Sequence, residues 1–218
     1  MRTIVWLCSL AFAASAWGQG LRFEQKLTEA HGPSEVHVAQ PVFKGGDSAT
    51  AERLNAWVKR TVGVVSCPSF GNMPSSYSRD LTVDRLSADY LVISDAAEEL
   101  CGGSAHDNSW KAQFVIPLAT GETLDVWSGL SEASQDKLRK TLIAHARKQF
   151  GNDECGRIYK ENGWLEQLSL HFTSKGVIVS SDFPYVARAC DSQVTLSVTD
   201  FRSTVEASPD VRAFLDRW

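Results

Sequence analysis

The stretch that decides the fold runs from Tyr90 to Leu130 and reads YLVISDAAEELCGGSAHDNSWKAQFVIPLATGETLDVWSGL. Apolar and polar side chains alternate through Leu86–Val92 and again through Gln113–Ile116, which is the period of a half-buried strand. A glycine-containing bend joins the two runs, and Thr120–Glu122 turns the chain into a third short run. Extended runs joined in this order predict an antiparallel meander.

Two helices are predicted outside this stretch. The segment Asp47–Val62 has apolar side chains three or four positions apart, and Ser131–Phe150 begins with a serine cap and ends with basic residues. Leu168–Phe172 and Val177–Phe183 predict a further hairpin. Because the strands come in hairpin order, the sequence predicts an α+β fold with an antiparallel sheet and both helices packed on one side.

Length and charge limit the organisation and the partners. A chain of 218 residues with 43% apolar content suits one compact domain, which we expect to consist of two halves, roughly 33–80 and 81–218. The formal net charge is −4. Nucleic-acid binding needs Lys and Arg concentrated on one face, so a nucleic-acid partner is not expected.

The N-terminus has the pattern of a signal peptide. Arg2 precedes an apolar core, Ile4–Ala14, and small residues then permit cleavage before Trp17 or before Gln19. The apolar core is too short to span a membrane. Cleavage before Gln19 gives a signal peptide of residues 1–18 and one envelope domain of residues 19–218. We therefore expect a periplasmic or secreted protein without a membrane span.

The cysteines predict disulfides. Removal of Cys8 with the signal peptide leaves Cys67, Cys101, Cys155 and Cys190, and four cysteines in an oxidising compartment allow three connectivities. We favour Cys67 with Cys101 and Cys155 with Cys190, because each bridge then ties parts of its own half. No two of these cysteines are close enough in sequence for a local chelate, so no metal site is expected.

Several short pieces of the chain, taken in order, resemble one bacterial family. The pieces are Gly102–His106, Phe114–Leu118, Leu124–Trp127 and Phe183–Ala187. They resemble the envelope domain found in the lysozyme-sensing anti-sigma factor RsiV and ahead of the deacetylase domain in PdaC. The resemblance implies a lysozyme-like muramidase as a partner. Such enzymes are usually cationic and are steered toward an acidic surface.

The candidate binding surface is the glycine-rich bend. It consists of Gly102, Gly103, His106 and Asp107, with Tyr185 expected nearby. Glycine gives the backbone a freedom that is easier to explain if a partner approaches closely, although a plain hairpin turn needs the same freedom. We therefore expect a non-enzymatic binding protein without a cofactor.

Two alternative functions stay open. One is a weak hydrolase centred on His106. Against it, the chain has no nucleophile and base at a recognisable spacing, and the opposing interpretation is that His106 is a turn residue. Direct binding of peptidoglycan or another glycan is the second alternative. It requires exposed aromatic rings, for which Trp110, Trp127 and Trp164 are the candidates.

Overall fold

The chain forms two compact units, one ending at Thr123 and the other beginning at Leu124. Each has a sheet of its own. The boundary predicted between residues 80 and 81 falls inside a strand of the first unit. The computed structural model describes the backbone of residues 20–30, 34–63, 75–101, 108–151, 153–161, 165, 168–183 and 185–218, and their side chains except at 34, 160, 161 and 185–187.

The first unit is a five-stranded sheet with one helix. Its elements are β1 (Arg22–Ala30), β2 (Ser34–Lys44), α1 (Ser48–Val62), β3 (Ser75–Leu86), β4 (Tyr90–Leu100) and β5 (Asn108–Pro117). The strands lie in the sheet in chain order. Three neighbouring pairs are antiparallel, whereas β2 and β3 are parallel, because α1 lies in the crossover between them. The α+β class is confirmed, and the sheet is mixed.

Strand β1 had only a weak signal in the sequence. The segment Arg22–Gly32 predicted a linker or a first short element, but Arg22–Ala30 pairs with β2 along its whole length. Every second side chain of β1 is half-buried and the others are exposed. An edge strand of this kind is stabilised by its neighbour, which explains why local composition alone did not predict it.

Helix α1 covers the apolar face of this sheet. Asp47 caps its N-terminus by accepting hydrogen bonds from the backbone N–H groups of Ala49 and Thr50. The Trp57 ring meets the Phe114 ring edge-on, with centroids 5.2 Å apart. The buried core of this unit comprises Leu21, Phe43, Ala51, Leu54, Trp57, Val58, Leu81, Leu91, Ile93 and Ile116.

A buried ion pair lies in the same layer. The Arg79 Nε of β3 donates to Asp95 Oδ1 of β4 at 2.8 Å, and the Arg79 Nη2 donates to Asp95 Oδ2. The Arg79 Nη1 donates to the backbone oxygen of Val62 at 3.2 Å, at the end of α1. Only 2% of Asp95 and 11% of the Arg79 side chain are exposed. One guanidinium thus joins two strands to a helix terminus.

Replacing Asp95 by leucine is expected to destabilise the protein by about 3–5 kcal/mol, because it leaves the Arg79 guanidinium buried without its counter-ion. Urea unfolding followed by circular dichroism measures this loss. The double variant Arg79→Met/Asp95→Leu is the control, since it removes both charges and is expected to recover most of the lost stability. A single variant as stable as the wild type contradicts the assigned role.

The second unit contains a three-stranded antiparallel sheet in the order β6, β7, β8. Its elements are α2 (Glu132–Phe150), α3 (Glu154–Glu161), β6 (Ser169–Thr173), β7 (Gly176–Ser180), a 3₁₀ helix (Tyr185–Cys190), β8 (Gln193–Leu196), α4 (Val198–Thr204) and α5 (Pro209–Arg217). Helix α2 and the β6–β7 hairpin agree with the sequence prediction. None of the helices that the structure describes is both long and apolar enough to cross a membrane.

Two short segments differ from the prediction. The third run of the meander, Leu124–Trp127, is largely a turn, because the Ser128 N–H donates to Asp125 Oδ1 at 2.9 Å and closes the chain locally. The alternation of Val194, Leu196 and Val198 predicts a final strand, but β8 ends at Leu196 and Ser197 caps helix α4. The Asp200 N–H donates to the Ser197 hydroxyl at 3.1 Å, which is a helix cap.

Tyr159 is at the centre of the second unit's buried polar contacts. Its ring lies 6.1 Å from the Phe150 ring and 5.3 Å from the Phe183 ring, between centroids. Its hydroxyl is hydrogen-bonded to the Ser181 hydroxyl and donates to the Cys190 backbone oxygen, both at 2.8 Å. The buried hydroxyls of Tyr159 and Ser181 therefore have hydrogen-bond partners inside this core.

A disulfide lies beside Tyr159. Cys155 and Cys190 are bonded, as the sequence predicted, and tie α3 to the end of the 3₁₀ helix. Cys101 is also disulfide-bonded. Its predicted partner, Cys67, lies outside the described residues, and that pairing stays a prediction.

The double variant Cys155→Ser/Cys190→Ser is expected to lose about 2–5 kcal/mol of stability, because the bridge limits the unfolded chain. Thermal unfolding compared with the wild type measures the loss. Reduced wild-type protein serves as a control that breaks the same bond without a substitution. An unchanged transition in the double variant contradicts the prediction.

Asp191 gives the second unit a pH-dependent stability. Burial is the largest cause that raises the pKa of its carboxyl, and repulsion from Asp182 adds to it, against a hydrogen bond from the Phe183 N–H. Because the pKa of this carboxyl is raised in the folded state, its contribution to stability is fully present at pH values below the pKa that it has in the unfolded chain. That contribution is lost as the pH rises through the pKa of the folded state. We expect Asp191→Asn to remove this loss, measured by urea unfolding across the acidic range. A variant with the wild-type pH dependence contradicts it.

Candidate functional site

One face of the five-stranded sheet carries a row of polar side chains that crosses all five strands. Neighbours in this row are paired in the sheet register, in the order Glu29, His37, Ser78, Glu98 and Ser109. Cross-strand partners project from the same face of a sheet. The register therefore brings together side chains that are far apart in the sequence.

His37 lies between two carboxylates of this face. Its Nδ1 is 3.4 Å from Glu29 Oε1 of β1, and its Nε2 is 3.7 Å from Asp80 Oδ1 of β3. The three side chains are between 36% and 55% exposed. The imidazole is thus open to solvent, and each of its nitrogens faces an acidic group.

A cavity of about 280 Å³ lies beside His37. It is lined by Glu29, Glu35, Val36, His37, Ser76, Tyr77, Ser78, Glu98, Glu99 and Leu100. The volume is just below the usual range for small-molecule sites, so the cavity suits one side chain of a partner better than a cofactor. We call Glu29, Glu35, Asp80 and Glu98, which lie on the same face of the sheet as His37, the acidic surface.

Local sequence and chain crossover together produce the acidic surface. The strand period turns Glu35 and His37 to the face opposite Val36 and Val38. The α1 crossover then places β3 parallel to β2, so that Glu35 pairs with Ser76. None of the acidic-surface residues was predicted as a site, because the sequence does not reveal the parallel register.

For the predicted binding residues of the bend, only the order of the chain indicates which elements they connect. Gly102, Gly103, His106 and Asp107 lie outside the described residues, and this part of the prediction is untested. The bend that contains them joins β4 to β5, so it follows Glu98–Leu100 directly along the chain. The acidic surface therefore lies at the end of β4 from which the bend departs.

Tyr185, the fifth predicted binding residue, begins the 3₁₀ helix of the second unit. Its side chain lies outside the described residues. The bend belongs to the first unit and Tyr185 to the second. Their predicted proximity stays a prediction.

The geometry at His37 suits charge recognition. A histidine that activates a nucleophile directs one nitrogen to a hydroxyl or thiol and the other to an orienting group. Both nitrogens of His37 face carboxylates instead. Within the described residues, no three His, Cys, Asp or Glu side chains form a group that could hold a metal ion.

The aromatic residues considered for glycan binding are dispersed. Trp110 is half-buried on β5, and Trp127 belongs to the second unit. The Arg139 guanidinium lies 5.3 Å from the centre of the Trp127 ring, so a cation already occupies one face of that ring. Trp164 lies outside the described residues.

The sequence matches no protein-family model and no curated protein. A crystal structure of a DUF3298 family protein from Pseudomonas aeruginosa PAO1 aligns with a TM-score of 0.56 at 13% identity, over 88% of this chain and 96% of that one. A DUF3298 member from Bacteroides fragilis NCTC 9343 aligns with a TM-score of 0.62 at 10% identity, over 92% of this chain and 100% of that one. The fold is similar to that of DUF3298 proteins. At these identities the likeness to DUF3298 proteins concerns the fold alone.

Proposed function

We propose that this chain is an exported, non-enzymatic binding domain of the bacterial envelope that recognises a basic, cell-wall-associated protein. The observation that carries the proposal is the acidic surface, where four carboxylates lie on one face of a sheet and three of them, Glu29, Glu35 and Glu98, line a solvent-open cavity. The register pairs none of these carboxylates with another, so the sheet holds them without repulsion between direct cross-strand partners. Together they present a surface of one sign to a cationic partner.

The physical basis of recognition is electrostatic. A surface of one sign attracts a partner of the opposite sign, and it raises the association rate more than it raises the affinity. The net charge of −4 has the sign that attracts a basic protein. The carboxylates stand on paired strands, so they are presented without the entropy cost of ordering a loop.

The partner class follows from the family resemblance. The RsiV and PdaC domain family implies a lysozyme-like muramidase, and the DUF3298-like fold supports a bacterial domain. The predicted signal peptide supports an envelope or secreted location. In this proposal Gly102–Asp107, which follow β4 along the chain, also contribute to partner binding.

The double variant Glu35→Gln/Glu98→Gln tests the acidic surface. Both side chains are exposed, so their amide replacements remove charge with little effect on packing. We expect the association rate with a c-type lysozyme to fall about tenfold, at the lower end of the range for electrostatic steering, and its dependence on salt to become shallower. Surface plasmon resonance at several salt concentrations measures both quantities.

The matched control is Glu52→Gln/Glu122→Gln, which changes the net charge equally through exposed residues of α1 and of the loop after β5. The proposal is wrong if the two double variants bind alike, since net charge alone then explains the binding. His106→Ala provides a separate arm. Weaker lysozyme binding in that variant supports a contribution from the bend, whereas peptidoglycan hydrolysis that is lost in it supports the hydrolase alternative.

A further inference from the structure

His37 places an imidazole among the carboxylates of the acidic surface. Histidine is the side chain whose unperturbed titration falls between about pH 5 and 8, while carboxylic acids in general titrate near pH 4. The His37 ring lines the cavity and is 45% exposed. A proton therefore has access to it from solvent, and a partner that fills the cavity meets it directly.

We propose that His37 makes binding at the acidic surface pH-dependent, so that a basic partner binds near neutral pH and is released on mild acidification. The inference rests on the proposed function. When the ring gains a proton, a positive charge arises 3.4 Å from a Glu29 carboxylate oxygen and 3.7 Å from an Asp80 oxygen. Those two carboxylates then interact with the imidazolium, and the same charge repels a cationic group that enters the cavity.

The other charged groups near the His37 ring counteract neither its gain of a proton nor the repulsion of a cationic group that follows. The described acidic groups on the His37 face come from four strands, namely Glu29 of β1, Glu35 of β2, Asp80 of β3 and Glu98 of β4. Glu99 of β4 also lines the cavity, but it belongs to the opposite face of the sheet. From β5, Lys111 lies in the cross-strand row that contains Asp80. Among these side-chain types, histidine is the one whose ordinary titration range lies between about pH 5 and 8, so a comparison across this range tests the imidazole.

Two substitutions imitate the two charge states. His37→Gln keeps a polar side chain that never becomes charged, and His37→Arg carries a permanent positive charge. We expect the wild type to bind a c-type lysozyme about fivefold more weakly at about pH 5.5 than at about pH 8, which is the effect of one unit charge at contact distance in water. His37→Gln is expected to bind equally at both pH values, and His37→Arg weakly at both.

Isothermal titration calorimetry at constant ionic strength measures these affinities, with circular dichroism to verify that each variant is folded. His145→Ala is the matched control, because it removes an exposed histidine of α2 outside the acidic surface, and we expect it to keep the wild-type ratio between the two pH values. Titration of lysozyme itself affects every variant equally. A His37→Gln variant that keeps the full pH dependence overturns the inference while leaving the proposed function in place.

Failure of the proposed function gives a different pattern. It appears as wild-type protein that does not bind lysozyme at about pH 8, or as a Glu35→Gln/Glu98→Gln variant that binds as well as its Glu52→Gln/Glu122→Gln control. Either result overturns the pH dependence together with the binding function. Loss of the pH dependence in His106→Ala, with His37→Gln unchanged from the wild type, assigns the switch to the bend and overturns the role of His37.

Discussion

The first unit depends on the buried contact between Arg79 and Asp95. A guanidinium this far from water is stable only when its hydrogen bonds and its charge are matched, and the Asp95 carboxylate with the Val62 backbone oxygen provides that match. The contact fixes β3 against β4 and fixes the end of α1 above both strands. A shift of β3 by one residue breaks all three interactions, so the pair specifies the register of the sheet.

The register of the five-stranded sheet determines which side chains lie on the face opposite α1. Because strand side chains alternate, holding Tyr77 and Arg79 on the α1 side places Ser76, Ser78 and Asp80 on the opposite face. The parallel pairing with β2 then sets Ser78 beside His37, with Asp80 within reach of the imidazole. The acidic surface thus depends on a buried interaction that does not belong to it. One face thus carries the buried ion pair and the other carries the acidic surface.

The second unit is stabilised in part by a disulfide and by buried hydrogen bonds. It holds a three-stranded sheet, and the Cys155–Cys190 disulfide and the hydrogen bonds of the Tyr159 hydroxyl anchor the 3₁₀ helix against α3 and the end of β7. The unit also has a buried apolar core that includes Phe172, Phe201 and Phe214, and the covalent and polar restraints add to that packing. The raised pKa of Asp191, caused first by burial, is a cost of the same arrangement.

The sequence by itself determined the elements that have strong local signals. The Asp47 cap with its apolar stripe predicted α1, Ser131 predicted the start of α2, and the cysteines allowed the bridge between Cys155 and Cys190. These features depend on side chains a few positions apart or on cysteine number and compartment. They are therefore readable without knowledge of the fold.

Only the tertiary structure decided the parallel pairing of β2 with β3, the buried ion pair, and the acidic surface around His37. Glu29, His37 and Asp80 are ordinary polar residues in the sequence, and no spacing rule connects them. They become neighbours because a helical crossover and a sheet register bring distant strands together. Register is set by packing over the whole sheet, and for that reason local patterns predicted the strands but not the site.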